Sequence, residues 1–276
     1  MSVTAFIGGG NMASALAGGM LARGARAEAL RVVEPLPAQR AKLAARFPGV
    51  ALYAEATGAA VAGADVVVLA VKPQQMSAAA RALAPHLGAD SGVVLSIAAG
   101  IRLVDLGRWL GGYRQLVRAM PNTPALVGRG ISGAFAAPGV DARARDRCAA
   151  VLEAGGKIVW VGDEAMLDAV TGVSGSGPAY VFYFLEALET AARELGFSAA
   201  DARALAYATF DGAVALAQAS AEDPAALRAQ VTSKGGTTER AIAALEDGDV
   251  RARIVAAVKA AAARARELGD ELGRNG

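Results

Sequence analysis

The chain is nearly without the residues that disulfide frameworks and transition-metal sites require: one cysteine, Cys148, and one histidine, His86, among 276 residues. A lone thiol excludes an internal disulfide, so nothing in the composition argues for secretion. One His and one Cys cannot supply the usual ligands of a zinc site, and a Ser-His-Asp triad would have only His86 to draw on. His86 lies between Pro85 and Gly88 and reads as a surface residue at a loop or helix end. No metal site is expected.

An excess of either charge is missing as well. With 28 basic against 26 acidic residues the net charge is +2, which gives no reason to expect nucleic acid or an anionic membrane surface as partner. Arg264 and Arg266 alternate with Glu267 and Asp270, the pattern of a solvated helix face rather than a basic tail. Long apolar runs are missing too. The best candidate, Ala169 to Leu185, is broken by Gly172, Gly175, Gly177 and Pro178 and falls short of the roughly 20 residues a membrane helix needs. No basic stretch followed by an apolar one opens the chain, so no secretory signal is expected. The chain reads as soluble and cytoplasmic.

What is present is a composition 54% hydrophobic and 20% charged, enough for a real core and a length suited to two modest domains. Short runs rich in Val, Ile and Leu at 2–8, 30–34, 50–54, 65–73, 92–100 and 115–122 are strand candidates. Helical patterns such as 11–24 and 35–47 separate them. Strands apolar throughout, alternating with helices, predict a parallel sheet covered on both faces. Segments 128–137 and 156–162 add further strands and 141–156 a helix, after which strand signals stop. The expected fold is an α/β Rossmann-like N-terminal domain over residues 1–162 followed by an all-α C-terminal domain over 163–276.

The stretch "FIGGGNMASAL" places Gly8, Gly10 and Ala13 in a G-x-G-x-x-A pattern between a strand and a helix. Gly8 permits the tight turn, Gly10 lets the backbone approach a pyrophosphate, and Ala13 lets helix and strand lie close. The helix start offers free N–H groups and the positive end of its dipole. Ile7, Gly8, Gly10, Asn11 and Met12 are therefore expected to contact a dinucleotide. Glu34 ends the second strand, where an acid commonly accepts the ribose hydroxyls of NAD; a 2′-phosphate there would be repelled unless Arg40 compensates. The cofactor is NADH or NADPH. "AVKP", from Ala70 and Val71 to Lys72 and Pro73, follows the fourth strand and lies at the crevice end of such a sheet. Lys72 there is placed for ribose or phosphate. Ala98, Ala99 and Gly100 after the fifth strand, and Asn122 after the sixth, would line the nicotinamide side.

A dinucleotide fold names no substrate. In the helical half, "TGVSGSGPAY" (171–180) reads as a joint between helices, and the long apolar helices beyond it carry more apolar surface than one small domain buries, which suggests subunit packing. "VTSKGGTTERAIAALE" (231–246) interrupts the helices with two glycines and several hydroxyls. Its loop ends one helix and starts another. Backbone N–H groups there can hold a carboxylate, with Gly235 and Gly236 free of Cβ atoms and Ser233 adding a hydroxyl. The bland alternative is an interhelical turn in which Thr237 or Thr238 caps the next helix.

Taken in order, "FIGGGNMA", "AVKP", "AAG", "MPNTP", "TGVSGSGPAY" and "VTSKGGTTERAIAALE" resemble the pyrroline-5-carboxylate reductase family across nearly the whole chain. The last segment is the most specific. The resemblance implies reduction of the cyclic imine of 1-pyrroline-5-carboxylate to L-proline with hydride from NAD(P)H, the last step of proline biosynthesis. It implies substrate contacts from Ser233, Gly235, Gly236, Thr237 and Thr238, with Thr238 beside the ring nitrogen as the catalytic candidate. It also implies homodimers through the helical half, often gathered into decamers as pentamers of dimers. Lys234 stands where the family often has proline, Thr57 where an asparagine often touches the adenosine portion, and Glu34 departs from NADPH-preferring members. Two alternatives remain: a β-hydroxyacid dehydrogenase-like or other imine reductase, whose catalytic lysine would have to be Lys259, and a non-catalytic NAD(P)-binding sensor.

Overall fold

Aliphatic runs too short for helices and flanked by glycines extend into strands, because β-branched side chains fit a pleated surface packed on both sides. In the computed structural model, which describes residues 2–88 and 91–274, these form β1 (Thr4–Ile7), β2 (Leu30–Val33), β3 (Ala51–Tyr53), β4 (Val66–Leu69), β5 (Val93–Ser96), β6 (Leu116–Met120), β7 (Gly130–Ala136) and β8 (Gly156–Trp160). They make one eight-stranded sheet in the order β3-β2-β1-β4-β5-β6-β7-β8. Pairing is parallel except between β6 and β7, which run antiparallel. Every residue of β1, β4 and β5 is buried, as expected of strands with helices on both faces.

The helices interleaved with the strands are α1 (Asn11–Ala22), α2 (Pro37–Arg46), α3 (Gly58–Val61), α4 (Met76–Leu83), α5 (Leu103–Trp109) and α6 (Ala142–Glu153). One face of the sheet packs Phe6, Val68, Leu95 and Val117 against Leu16 of α1 and Cys148, Val151 and Leu152 of α6. The other packs Ile7, Val67, Leu69 and Val94 against Met76 and Leu83 of α4 and Leu106 and Trp109 of α5. The strands end earlier than their apolar runs. After Leu69 the chain turns at Lys72 and Pro73 into a short 3₁₀ turn, and after Ser96 it leaves the sheet towards Gly100, whose φ is +75°.

Beyond β8 no strand occurs among the described residues. The helices are α7 (Met166–Val170), α8 (Gly177–Glu194), α9 (Ala199–Ala219), α10 (Pro224–Gln230), α11 (Thr237–Asp247) and α12 (Val250–Arg274), with a π-turn at Thr171–Gly175 after α7. Ser198 and Asp223 cap α9 and α10 by accepting from the N–H groups of Asp201 and Ala226. By internal packing the chain divides into one unit of residues 1–176 with 260–276 and a second of 177–259. The helix α12 contributes to both. Its last turns carry Gly269 and Gly273 against the first unit: a Cβ on Gly269 would lie 3.2 Å from Gly100 O, and one on Gly273 2.5 Å from Asp105 Oδ2. Arg102 pairs with Asp270 at 2.7 Å, and Arg108 donates to Gly273 O at 2.9 Å. The expected solvated face of α12 holds at Arg264, which is exposed and bound to Glu267 and Glu271. Neighbouring Ala265 and Gly269 are buried.

Candidate functional site

The register of the sheet brings the separate cofactor segments to one edge. Ile7 pairs with Leu69, Leu69 with Ser96, and Ser96 with Arg118, so four adjacent parallel strands end side by side. The loops that leave those ends carry Gly8 to Gly10, Ala70 to Pro73, Ala98 to Gly100, and Asn122. The sheet order reverses between β1 and β4, the topological switch point where such sheets open a ligand crevice.

At its centre is the glycine loop. Gly8 has φ +102°, and a Cβ there would stand 2.8 Å from Ala70 O and 3.0 Å from Val71 Cγ1. Its N–H donates to Val33 O at 2.8 Å. Only glycine fits. Gly10, by contrast, is exposed, and a Cβ on it would meet no protein atom within 4 Å. Gly10 is the N-cap of α1, which has no side-chain cap and no acid in its first turn. The N–H groups at the head of α1 are thus left to a ligand, and the dipole favours an anion. Ala13 is 2% exposed where α1 meets the sheet. Asn11 is exposed and Met12 half-buried at the mouth of this cradle. The residues present fit a dinucleotide pyrophosphate.

Sequence reasoning passed over Gly9, although the run of three glycines carried the signal. A Cβ there would collide with Leu43 Cδ1 at 2.5 Å. Its N–H donates to Glu34 Oε2 at 3.1 Å, and its carbonyl accepts from Gln39 Nε2 at 2.8 Å. Glu34 is 8% exposed, and its other oxygen accepts from Leu36 N–H at 2.9 Å. Arg40 donates to the carbonyls of Glu34 and Pro35 at 2.6 and 2.8 Å. The rim at the end of β2 is therefore a clamp: Glu34 braces the glycine loop from behind, and Arg40 is folded onto the backbone beside it.

Lys72 is exposed at the head of its 3₁₀ turn, with Ala70, Val71 and Pro73 half-buried around it. Thr57 precedes α3 without a side-chain capping bond. Ala98 and Gly100 are buried, and Ala99 is half-buried. Asn122 spends its amide on the protein: Nδ2 donates to Ser174 O at 3.1 Å, and Oδ1 accepts from Ile131 N–H at 2.9 Å. It ties the end of β6 to the π-turn and to β7, so its side chain holds the loop together. The π-turn also lies against Met120, since a Cβ on Gly175 would be 2.7 Å from Met120 Cε. The small-residue segment is a joint from α7 to α8, as expected, and a tightly packed one. His86 is exposed in a 3₁₀ turn. Cys148 is buried in α6, where loss of water pushes its thiol up to about 12.

The hydroxyl-rich loop lies in the second unit between α10 and α11. Thr232 closes α10 by donating its hydroxyl to Arg228 O at 2.6 Å. The chain then turns through Gly235 at φ +74°, with Gly236 N–H donating to Ser233 O at 3.0 Å. Glu239 reaches back to accept the Gly235 N–H at 2.6 Å. The N-cap of α11 is Gly236, without a side-chain cap, so neither Thr237 nor Thr238 caps the helix. With the N–H groups of Gly235 and Gly236 used internally, those of Thr237 and Thr238 in the first turn remain to receive an anion. Ser233 and Thr237 are exposed and Thr238 half-buried. The arrangement can hold a small carboxylate and present a hydroxyl next to it.

The chain is similar to known proteins along nearly its whole length. Residues 164–268 match the family model described as pyrroline-5-carboxylate reductase dimerisation, and residues 3–100 match NADP oxidoreductase, coenzyme F420-dependent. The pyrroline-5-carboxylate reductase of Pseudomonas aeruginosa is 46% identical over 270 residues, covering 98% of each chain. A pyrroline-5-carboxylate reductase structure from Coxiella burnetii superposes with a TM-score of 0.91 at 37% identity, covering 97% of this chain and 98% of the other. Plasmodium falciparum pyrroline carboxylate reductase, solved with NADP bound, gives 0.86 at 27% identity with the same coverage.

Proposed function

The chain belongs to the pyrroline-5-carboxylate reductase family, and on that premise we propose that it reduces 1-pyrroline-5-carboxylate to L-proline with NADPH or NADH, the last step of proline biosynthesis. The observation that carries this reading is that one chain bears both the glycine cradle at the sheet edge and the Ser233–Thr238 turn. The first suits a dinucleotide, the second a small carboxylate.

Gly8, Gly10 and the head of α1 would hold the pyrophosphate, with Ile7, Asn11, Met12, Glu34, Ala70, Val71, Lys72 and Pro73 around it. Ala98, Ala99, Gly100 and Asn122 would border the nicotinamide. When bound, the reduced cofactor supplies hydride to the carbon of the C=N bond, while the imine nitrogen ends with one more proton in the product amine. A protonated imine already draws hydride, so the protein's task is chiefly to hold and orient the substrate. Ser233 and the N–H groups of Thr237 and Thr238 take the substrate carboxylate, on the geometry of a helix start. Gly235 and Gly236 keep the turn narrow. Thr238 hydrogen-bonds at the ring nitrogen and relays to it a proton from water, its own hydroxyl proton being replaced as it is passed on. The dinucleotide-binding domain is assigned to 1–162 and the substrate and dimerisation domain to 163–276.

Homo-oligomerisation follows from the dimerisation model that the helical half matches. The finer assignment of a dimer through the helical half is supported by apolar exposure, with Phe182 62% exposed, Tyr183 73% and Leu216 60%, and a decamer of five dimers is proposed from the family resemblance alone. Within residues 177–259 only Ala202 and Ala206 are buried, which leaves apolar helix faces for a second copy to cover. No helix among the described residues is long and apolar enough to cross a membrane. The cytoplasm is the compartment proposed, in keeping with a single free thiol. Lys259, on which the β-hydroxyacid dehydrogenase-like alternative depends, is exposed on α12.

The test is an initial-rate comparison on purified protein with 1-pyrroline-5-carboxylate and each of NADH and NADPH. Turnover with either supports the reading. Cofactor binding without turnover favours the sensor instead.

A further inference from the structure

Glu164, between β8 and α7, carries a charge that the reaction outlined above does not use. Its Oε1 accepts from the main-chain N–H of Leu103 at 2.8 Å and from Arg118 Nη1 at 3.0 Å. Arg118 is a guanidinium inside the sheet, 4% exposed on β6, with Nη2 3.5 Å from Asp168 Oδ1 on α7. Leu103 N–H is the first of α5, a helix whose own N-cap, Arg102, supplies no side-chain acceptor. One carboxylate oxygen thus meets a buried cation and the positive end of a helix at once.

Each attachment leads to a segment bordering the candidate nicotinamide position. Leu103 follows directly on Gly100 to Arg102. Arg118 stands two residues before Met120 and four before Asn122. From Glu164 the chain runs through α7 into the π-turn, where Ser174 O receives Asn122 Nδ2 and Gly175 abuts Met120. An apolar cluster of similar volume would hold the fold as well or better, because stripping water from three charged groups is unfavourable. What the charges add is direction: a guanidinium fork and a helix start accept a carboxylate in only a narrow range of orientations.

We propose that Glu164 is a positioning residue of the reductase. Through Leu103 and Arg118 it fixes the loop Ala98–Gly100 and the segment Met120–Asn122 against one another, and so sets the seat of the nicotinamide ring. The proposal rests on the function put forward above. It touches neither the glycine cradle nor Ser233–Thr238, so its loss would misplace the reacting end while leaving the phosphate end intact.

The experiment uses the full-length protein with Glu164→Gln, which keeps the shape and removes the charge, and Glu164→Asp, which keeps the charge. NADPH affinity is read by fluorescence titration, turnover with 1-pyrroline-5-carboxylate by initial rates, and folding by thermal midpoint. Glu164→Gln is expected to lower kcat about 10- to 100-fold, the scale of a misplacement of about an ångström, with little change in the NADPH Kd. Glu164→Asp is expected to recover part of that loss. An unchanged kcat, a Kd that worsens in step with kcat, or a loss that vanishes once the unfolded fraction is accounted for overturns the proposal. Should Glu164→Gln fail to fold, Arg118→Lys, which keeps the charge and loses the fork, must give the same split. A wild-type protein that binds NADPH but does not reduce the pyrroline refutes the function rather than this proposal. The fluorescence anisotropy of bound NADPH then decides: lower in Glu164→Gln supports positioning, and unchanged refutes it.

Discussion

Gly9 and Glu34 are joined by a hydrogen bond of 3.1 Å from main-chain N–H to carboxylate, across 25 positions of sequence. With Leu36 N–H on the other oxygen, Glu34 braces the glycine loop, and in the cofactor site proposed above its carboxylate would face a 2′-phosphate.

Glu34→Ser is accordingly expected to move two measurements. The NADPH-to-NADH ratio of kcat/KM should rise by about tenfold, equivalent to roughly 1.4 kcal/mol, as repulsion is removed. Stability to urea should fall by about 1–3 kcal/mol, because two N–H groups lose their acceptor. A ratio that stays put while stability falls makes Glu34 a brace alone.

Gly8 and Gly10 should respond in opposite ways. Gly8→Ala forces a Cβ to 2.8 Å from Ala70 O at φ +102°, so it is expected to destabilise the fold by at least about 1–2 kcal/mol. Gly10→Val meets no protein atom at its Cβ and should leave the thermal midpoint nearly unchanged. It should weaken NADPH binding by about tenfold or more, since the added methyls stand where a pyrophosphate approaches. Calorimetry and fluorescence titration separate the two, and an unchanged Kd for Gly10→Val would remove the phosphate-cradle reading.

Thr238→Ala should lower kcat/KM for 1-pyrroline-5-carboxylate by about 10- to 100-fold, the value of one hydrogen bond to a charged partner. The NADPH Kd should hardly move, and Thr238→Ser should retain most of the activity. Equal losses in turnover and cofactor affinity would count against a substrate role for this hydroxyl.

Cys148 offers a test by pH. Burial holds its thiol up to about 12 against an ordinary value of 9.0, so the folded protein keeps a proton that the unfolded chain releases. The resulting stability is fully present below the ordinary thiol value and drains away as pH climbs from there towards the folded value, by up to about 1.4 kcal/mol per pH unit. Urea unfolding of wild type and Cys148→Ala between neutral and alkaline pH should give curves that converge in that window. Native protein at neutral pH should resist thiol reagents until it unfolds, and rapid labelling would contradict the burial.

Much of the fold was legible because local patterns and tertiary demands agree. The runs at 2–8, 65–73 and 92–100 could satisfy their backbone only in a covered sheet, and they became β1, β4 and β5. The glycine cradle was legible for the same reason, as its spacing is a local steric statement. Other features depend on distant partners. Nothing near Arg118 in sequence announces a carboxylate 46 positions away, and nothing near Asn122 announces its bonds to Ser174 and Ile131. The return of α12 to Gly100 was hidden for a further reason. Gly269 and Gly273 are spaced like one face of a helix, but in an alanine-rich stretch such spacing carries little contrast.

That return has a consequence for synthesis. The compact unit that carries the glycine loop is assembled from residues 1–176 and 260–276, with Leu272 packed beside its core. A nascent chain on the ribosome therefore carries this unit unfinished through the whole of α8 to α11, with the berth beside Gly100 uncovered until α12 emerges. The order of translation therefore places the closing of that berth after the synthesis of α8 to α11.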